Sequence, residues 1–419
     1  MLITKKFESS AVNTFKNGNP VNFAYGKKEF LYTKKNIKYL DLVCGSAVTI
    51  LGHGNTKHKK IAREVINTGI FHTGTRLPNK YREQLYLKLN EILPNNLNCF
   101  HLANSGTEAV ETALKAVQYA TGKKGVISFT GGYHGRTIGA LSVTYDKKLR
   151  NNFHILTKNI FFPYPGTYKN KKEKYTLKEC LSYAKNYISK NKKSLPPVAI
   201  IECVQAVSGI IIPPKIFIKE IFKLFKKNKI YIIVDEIWNG MGRTGQFFSF
   251  QKFNVKPDIV CLGKALSSTL PLSAVAGPKK LLKNWPSGIH TSTFQGNPVA
   301  CALSTSTINQ IIKNNLLDRV KEIENILKHS LFTLNQAIFI KEIRVFGAQA
   351  GIEFINSQGN PNKEIVEKLV KKLLLKKIIV YAGGEKGNVL MLIPPIIIKY
   401  INLKKSLKII IKEIFIQNN

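Results

Sequence analysis

Residues 230–266 read IYIIVDEIWNGMGRTGQFFSFQKFNVKPDIVCLGKAL and contain two apolar runs of strand length, 230–234 and 259–262. The first run leads to Asp235, and Lys264 follows the second. In a parallel α/β sheet both residues would stand at the carboxyl ends of their strands, where ligands bind in such folds. A lysine amine forms a Schiff base with an aldehyde, and a carboxylate keeps a pyridine nitrogen protonated. The pair therefore suits pyridoxal phosphate, although two ordinary strand-end charges would give the same spacing.

The sequences DEIWNGMGRTG (235–245) and PDIVCLGKAL (257–266) resemble the core signature of class III aminotransferases, pyridoxal-phosphate enzymes of fold type I. Further matches are NSGTEAVETALKA (104–116), GGYHGRT (131–137), ECVQ (202–205) and HTSTFQGNPVACA (290–302), in the family's order. The resemblance covers nearly the whole chain. It implies an α/β protein with a large, doubly wound, mainly parallel sheet domain and a smaller α+β domain.

The resemblance also implies roles for individual residues. Lys264 is expected to carry the cofactor and Asp235 to pair with its ring nitrogen. The positions that it assigns to cofactor binding are Ser105, Gly106, Thr107, Tyr133, Glu202, Asp235, Ile237, Lys264 and Thr293, and those that it assigns to substrate are Arg136, Ser46 and Ser292. Thr293 is expected to reach the cofactor phosphate of a neighbouring subunit, which predicts a homodimer with shared active sites. No metal ligand is expected.

Several of these residues have simpler explanations. Ser105 and Glu108 stand at capping-box spacing, so the start of the helix after Ser105 explains them without a bound phosphate. His134 fits a neutral packed side chain better than a proton shuttle, because a released lysine can itself move the proton. Arg136 could form a structural ion pair instead of binding a carboxylate. Ser46 lies in a stretch that contains several glycines, and this stretch could be only a structural connector between elements.

Helical and strand patterns divide the chain into three parts. Residues 1–55 read as a small β element, with EFLYT and IKYLDL on either side of a turn. The resemblance implies that this element packs with the small domain. Residues 56–310 alternate helix and strand patterns and form the predicted cofactor-binding domain. Residues 311–419 form the predicted small C-terminal domain, with a helix near 315–334, strands near 343–354, a helix near 364–375 and strands near 378–381 and 389–393.

Three positions depart from the commoner family pattern. The phrase QAVSG has Val207 where a glutamate usually stands, and VLMLIPP has Met391 where its arginine partner usually stands. Both positions of the usual ion pair are thus apolar in this chain. Losing both charges together avoids leaving one charge buried without its partner. Trp238 replaces a glutamine that usually contacts the cofactor, and Gln205 is a candidate replacement for that contact. The sequence therefore predicts a pocket that favours substrates with one carboxylate.

Composition limits the remaining alternatives. The net charge of +39 could indicate a polyanion partner. The lysines, however, are spread along the whole chain without a nucleic-acid-binding motif, so we expect no nucleic-acid partner. Six cysteines lack disulfide-like spacing, and no apolar run reaches about 18 residues. These features predict a cytoplasmic protein that does not span a membrane.

The sequence thus predicts a pyridoxal-phosphate-dependent aminotransferase that moves an amino group between an amino acid or amine and a 2-oxo acid. An amino-acid racemase, epimerase or aminomutase on the same fold would use the same lysine and stays an alternative. A basic binding protein that has lost catalysis is a third alternative, disfavoured because Lys264 and Asp235 are both present.

Overall fold

The computed structural model describes residues 3–12, 14, 20–151, 153 and 159–416. The strands, numbered in chain order, are β1 Phe23–Lys27, β2 Phe30–Thr33, β3 Lys38–Asp41, β4 Cys99–Ala103, β5 Val126–Phe129, β6 Ile160–Phe162, β7 Val198–Ile201, β8 Tyr231–Asp235, β9 Ile259–Leu262, β10 Ser273–Gly277, β11 Ile340–Val345, β12 Ala350–Phe354, β13 Ile378–Ile379, β14 Tyr381–Gly383 and β15 Val389–Leu392.

Helices lie before, between and after these strands. The α-helices are Ile3–Phe7, Thr56–Asn67, Lys80–Ile92, Gly106–Thr121, Ile138–Val143, Lys147–Arg150, Leu177–Lys190, Lys215–Lys227, Ser249–Lys252, Lys279–Leu282, Pro298–Lys313, Leu316–Leu331, Lys363–Leu375 and Tyr400–Ile416. Short 3₁₀ turns occur at Lys192–Ser194, Lys264–Leu266 and Phe332–Leu334. Within the described residues, no helix combines the length and hydropathy needed to cross a bilayer.

The largest sheet among the described residues has the strand order β4-β10-β9-β8-β7-β5-β6. Strands β6, β5, β7, β8 and β9 run parallel, whereas β10 is antiparallel to both β9 and β4. Both faces are covered, because Ile232 and Val234 pack into one apolar cluster and Ile233, between them, packs into another. The observed sheet confirms the predicted doubly wound, mainly parallel architecture.

A second region combines the two ends of the chain. Strands β1, β2 and β3 form a meander, and β3 pairs in parallel with β13 from the C-terminal part. The strands of a second sheet, the antiparallel sheet β11-β12-β15-β14, come from the same C-terminal part of the chain. This is the predicted smaller α+β region; the exact boundaries at residues 55 and 310 stay predictions.

The sequence missed two details of this region. Strand β1 was not predicted, because FAYGK contains a glycine and has no apolar alternation, and its side chains are exposed or half-buried. The single strand expected near 378–381 is instead β13 and β14, which belong to different sheets. One residue, Val380, separates them, so the chain changes sheets there.

Candidate active site

Asp235 and Lys264 meet at the carboxyl ends of two neighbouring parallel strands. Asp235 ends β8 and pairs in register with Cys261 of β9, and Lys264 follows β9 after Gly263. Lys264 has a φ of 40°, which a non-glycine residue rarely adopts. Such a conformation costs free energy and occurs often at functional sites. Sequence reasoning therefore placed this pair correctly at one edge of the sheet.

A cavity of about 290 Å³ lies at this edge. Its lining residues come from the ends of several strands and the loops after them: Gly106, Thr107, Tyr133, His134, Gly135, Arg136, Glu202, Ala206, Val207, Asp235, Ile237, Trp238 and Lys264. Most of the sequence-predicted cofactor residues are thus brought together. Ala206 and Gly135 were not singled out beforehand, because small residues in a loop give no sequence signal.

Asp235 is buried and held from two sides. Its Oδ1 accepts a hydrogen bond from the Ile237 amide at 3.0 Å, and its Oδ2 lies 2.8 Å from His134 Nδ1. The amide of His134 in turn donates to Thr144 Oγ1 at 2.9 Å. His134 Nε2 is buried without a partner among the described residues. The histidine therefore orients the carboxylate, as expected for a packed imidazole.

The Lys264 amine lies next to these acidic groups. Burial lowers the pKa of Lys264, and the nearby charges of Asp235 and Glu202 oppose that shift. Its Nζ lies 5.0 Å from the centre of the Trp238 ring and forms no hydrogen bond or ion pair with the described residues. A desolvated amine of lowered pKa is more often unprotonated, and the unprotonated form is the nucleophile.

Glu202 lines the cavity and holds two backbone amides. Its two carboxylate oxygens accept hydrogen bonds from the amides of Tyr133 and Ala206, both at 3.1 Å. Burial raises its pKa, while the amide hydrogen bonds and His134 act in the opposite direction. Glu202 thereby fixes the backbone on which Tyr133 stands.

The helix Gly106–Thr121 points its N-terminus at the cavity. Ser105 caps it by accepting from the Glu108 amide at 3.3 Å. The Glu108 carboxylate, however, accepts from the Asn104 amide at 2.9 Å, so the reciprocal half of the expected capping box is absent. The amides of Gly106 and Thr107 make no hydrogen bond within the described part of the chain. A Cβ atom at position 106 would lie 2.8 Å from Ile237 Cγ2, which is closer than normal contact. Gly106 therefore allows the start of the helix to pack directly on Ile237.

Arg136 lines the cavity and is exposed. Its guanidinium carbon lies 5.9 Å from the centre of the Tyr133 ring. No ion pair of Arg136 occurs among the described residues, so the structural ion pair considered above is absent from that part of the molecule. The guanidinium is free to bind a carboxylate.

Four sequence-predicted site residues do not line the cavity of this single chain. Ser105 faces its own helix as a cap, and Ser46 Oγ lies 2.7 Å from the Tyr381 hydroxyl. Ser292 Oγ accepts from Asn104 Nδ2 at 2.7 Å, and the Thr293 carbonyl lies 2.5 Å from His72 Nε2. Thr293 was expected to serve a neighbouring subunit, and that role stays a prediction.

The structure also shows the surroundings of Val207 and Met391, two of the departures from the family pattern, and of Gln205. Val207 lines the cavity, and Met391 is buried with its sulfur against Gly383, next to the Val207 carbonyl. Gln205 is not among the residues that line the cavity, and its Nε2 donates to the Thr130 carbonyl at 2.8 Å. Its role as the replacement contact stays a prediction.

The chain was compared with known proteins. Residues 14–414 match the family described as "Aminotransferase class-III". The acetylornithine aminotransferase of Methanopyrus kandleri is 30% identical over 93% of this chain and 92% of its own length. An alanine/serine racemase of Pyrococcus horikoshii is 29% identical over 90% of this chain and 82% of its own length.

Solved structures give the same fold. A transaminase from the marine bacterium Virgibacillus superposes with a TM-score of 0.90 at 22% identity, over 100% of this chain and 99% of that one. The large parallel sheet with its smaller antiparallel companion is thus the fold-type-I architecture. The chain belongs to the class III aminotransferases, enzymes that transfer amino groups with the help of pyridoxal phosphate.

Proposed function

We propose that the cavity binds pyridoxal 5′-phosphate and that Lys264 is its covalent attachment point. The observation that carries this proposal is the meeting of an unpaired amine of lowered pKa with a buried carboxylate, Asp235, in one cavity. When bound, pyridoxal phosphate withdraws electrons from the substrate carbon that bears the nitrogen and so makes its proton acidic.

The residues present fit this group. Asp235, held by His134 and the Ile237 amide, would pair with the ring nitrogen. Ile237 and Tyr133 offer an apolar and an aromatic surface for the ring. The unbonded amides of Gly106 and Thr107 would hold the phosphate at the positive end of the helix dipole.

The same residues would handle the substrate. The Arg136 guanidinium would bind its carboxylate, and the Lys264 amine would take up and return the proton of the substrate carbon. The wall formed by Ala206, Val207 and Trp238 carries no charge. A second carboxylate would be desolvated there without a cation, which costs free energy. We therefore infer substrates with one carboxylate and an apolar or amine-bearing remainder.

We further infer a homodimer in the cytoplasm. Thr293 would serve the phosphate site of the partner, with Ser292 and Ser46 near substrate. The amino donor and a 2-oxo acid acceptor would be the small-molecule partners. All six cysteines are free, which supports a reducing compartment.

The test is a reaction of the purified full-length protein with pyridoxal phosphate and L-alanine. We expect visible absorbance of the bound cofactor, its loss on addition of alanine, and pyruvate in equal amount. The proposal fails if no keto product forms with alanine, with other amino acids of one carboxylate or with simple amines.

An amino-acid racemase is the second candidate, favoured by the similarity to the Pyrococcus protein named above. It would use the same lysine but return the proton to the substrate carbon. Inverted alanine without pyruvate would establish the racemase, and pyruvate in proportion to enzyme turnover would exclude it.

A further inference from the structure

Three side chains form a directional hydrogen-bond chain behind the cavity wall. Trp238 Nε1 donates to Gln349 Oε1 at 3.0 Å, and Gln349 Nε2 donates to Asn239 Oδ1 at 2.9 Å. Asn239 Nδ2 then donates to the Val204 carbonyl at 2.7 Å. Because a carbonyl can only accept, Val204 fixes the orientation of both amides. The oxygen of Gln349 must therefore face the indole.

Gln349 is itself held rigidly, although it lies 111 residues from Trp238 along the chain. It is fully buried. The neighbouring Ala348 donates its amide to the Arg243 carbonyl at 2.9 Å, and Arg243 Nη1 returns a bond to the Ala348 carbonyl at 3.1 Å. A side chain at Gly347 would come within 2.4 Å of the Arg243 carbonyl, so the two loops are in backbone contact. Gln349 thus gives the indole a fixed anchor.

The face of the indole is turned to the catalytic lysine. Lys264 Nζ lies 5.0 Å from the ring centre, within the range of a cation–π contact. The only polar hydrogen of the indole is occupied by Gln349, so the ring presents no donor to the cavity. Among the described residues, the other charged or titratable groups that line the same cavity are Asp235, Glu202, His134, Arg136 and Tyr133.

We propose that Trp238, oriented by Gln349, is a positioning residue that holds the Lys264 amine against its indole face. This rests on the proposed role of Lys264 as the residue that reacts with the cofactor. An indole at this distance stabilises the protonated amine, while its fixed orientation limits where the amine can move. Gln349 acts only through Trp238.

The test measures how fast the full-length, cofactor-stripped protein acquires visible absorbance when pyridoxal phosphate is added, as a function of pH. The amine reacts when unprotonated, so the midpoint of the profile reports on its protonation. In Trp238→Leu the cation–π contact is lost, and we expect the midpoint to fall by about half a pH unit to one unit. Trp238→Phe keeps an aromatic face and should shift less than Trp238→Leu.

A double-mutant cycle tests the link to Gln349. Gln349→Met keeps the size of the side chain but removes the acceptor, so the midpoint should fall in the wild-type background. In the Trp238→Leu background the same change should have no effect. An equal shift in both backgrounds would overturn the link, and a Trp238→Leu profile that coincides with the wild type would overturn the whole inference. If Trp238→Leu does not fold, Trp238→Phe serves as the second background, where the effect of Gln349→Met must vanish.

Lys264→Ala separates this inference from the proposed function. If that variant still forms the same adduct, the role of Lys264 is wrong. If it forms none, and the profiles of the Trp238 and Gln349 variants match the wild type, only the positioning role is wrong.

Discussion

Two groups of charged residues show opposite arrangements of the same side-chain types. The ionic cluster consists of Arg344, Glu342, Glu353, Lys174 and Tyr168. Arg344 Nη1 lies 2.5 Å from Glu353 and 2.6 Å from Glu342, and Lys174 Nζ lies 2.7 Å and 2.9 Å from the same two carboxylates. The Tyr168 hydroxyl donates to Glu353 at 2.5 Å. Both carboxylates therefore have cationic partners.

The group around the proposed attachment lysine, called the catalytic cluster from here on, consists of Lys264, Asp235, His134 and Glu202. Here the lysine amine has no polar partner among the described residues, and His134 Nε2 is buried without one. The pKa directions follow this difference. Burial tends to raise the pKa of Glu353, but Arg344 and Lys174 outweigh it and lower the value to about 2, whereas burial raises the pKa of Glu202. The carboxylates of the ionic cluster are paired with cations, whereas the Lys264 amine has no partner among the described residues and is available for a ligand.

The largest effect is expected from Lys264→Ala in the catalytic cluster. Turnover should fall by several orders of magnitude, because no other described amine lines the cavity. Initial rates of keto-product formation measure the loss. The exposed Lys59→Ala is the matched control and should leave the rate unchanged. A Lys264→Ala rate within tenfold of the wild type would contradict the assignment.

In the ionic cluster, Arg344→Met should act on stability. It leaves Glu353 buried without its guanidinium, and breaking such a pair costs about 3–5 kcal/mol. Urea unfolding of the full-length protein measures the change. The control is Lys321→Met, which removes an exposed pair with Asp318 and should cost less than about 1 kcal/mol. Equal costs for the two changes would mean that burial of the ionic cluster has no energetic consequence.

Glu385 is a carboxylate beside the ionic cluster that has no cationic partner within 4 Å among the described residues. It accepts one hydrogen bond from that part of the chain, from the Tyr168 amide at 3.3 Å. Burial raises its pKa to about 7. A raised carboxyl pKa means that the folded state binds the proton more tightly than the unfolded state. The protein should therefore lose stability as the pH rises from about 4.5 to 7.

Glu385→Gln should remove this loss and gain about 1–3 kcal/mol relative to the wild type at pH 8, with little difference at pH 4.5. Free energies of unfolding across this range test it. The exposed Glu322→Gln is the control and should show no such pH-dependent gain. Parallel curves for Glu385→Gln and the wild type would show that the Glu385 carboxyl binds its proton equally well in the folded and unfolded states, which would contradict the prediction.

The smallest effect is expected from building a new pair at the cavity. Val207→Glu together with Met391→Arg would introduce an ion pair that glutamate or 2-oxoglutarate could replace. Reactivity with glutamate relative to alanine should rise by about tenfold, which corresponds to about 1.4 kcal/mol. Met391→Arg alone should lower stability, since it buries an unpaired charge. An unchanged ratio in the double variant would place the specificity elsewhere in the pocket.

The sequence predicted the catalytic cluster better than its surroundings. Asp235 and Lys264 were found because each follows an apolar run whose length and composition indicate a buried parallel strand. The start of the helix at Gly106 was found from its cap. These are local signals, and the topology of a doubly wound sheet brings them to one edge.

The contacts that were missed are long-range. Gln349 lies between two strands of the smaller region, and nothing around it indicates that it contacts the Trp238 indole. Glu353 likewise looks like an ordinary strand residue until Arg344 and Lys174 are seen beside it.

The most direct measurement is to locate the covalent attachment of the cofactor. The full-length protein is mixed with pyridoxal phosphate, reduced with borohydride and digested, and the modified peptide is identified by mass spectrometry. We predict one adduct per chain, on Lys264, and none at that position in Lys264→Ala. An adduct spread over the many other lysines, or an undiminished yield in Lys264→Ala, would contradict the assignment of Lys264.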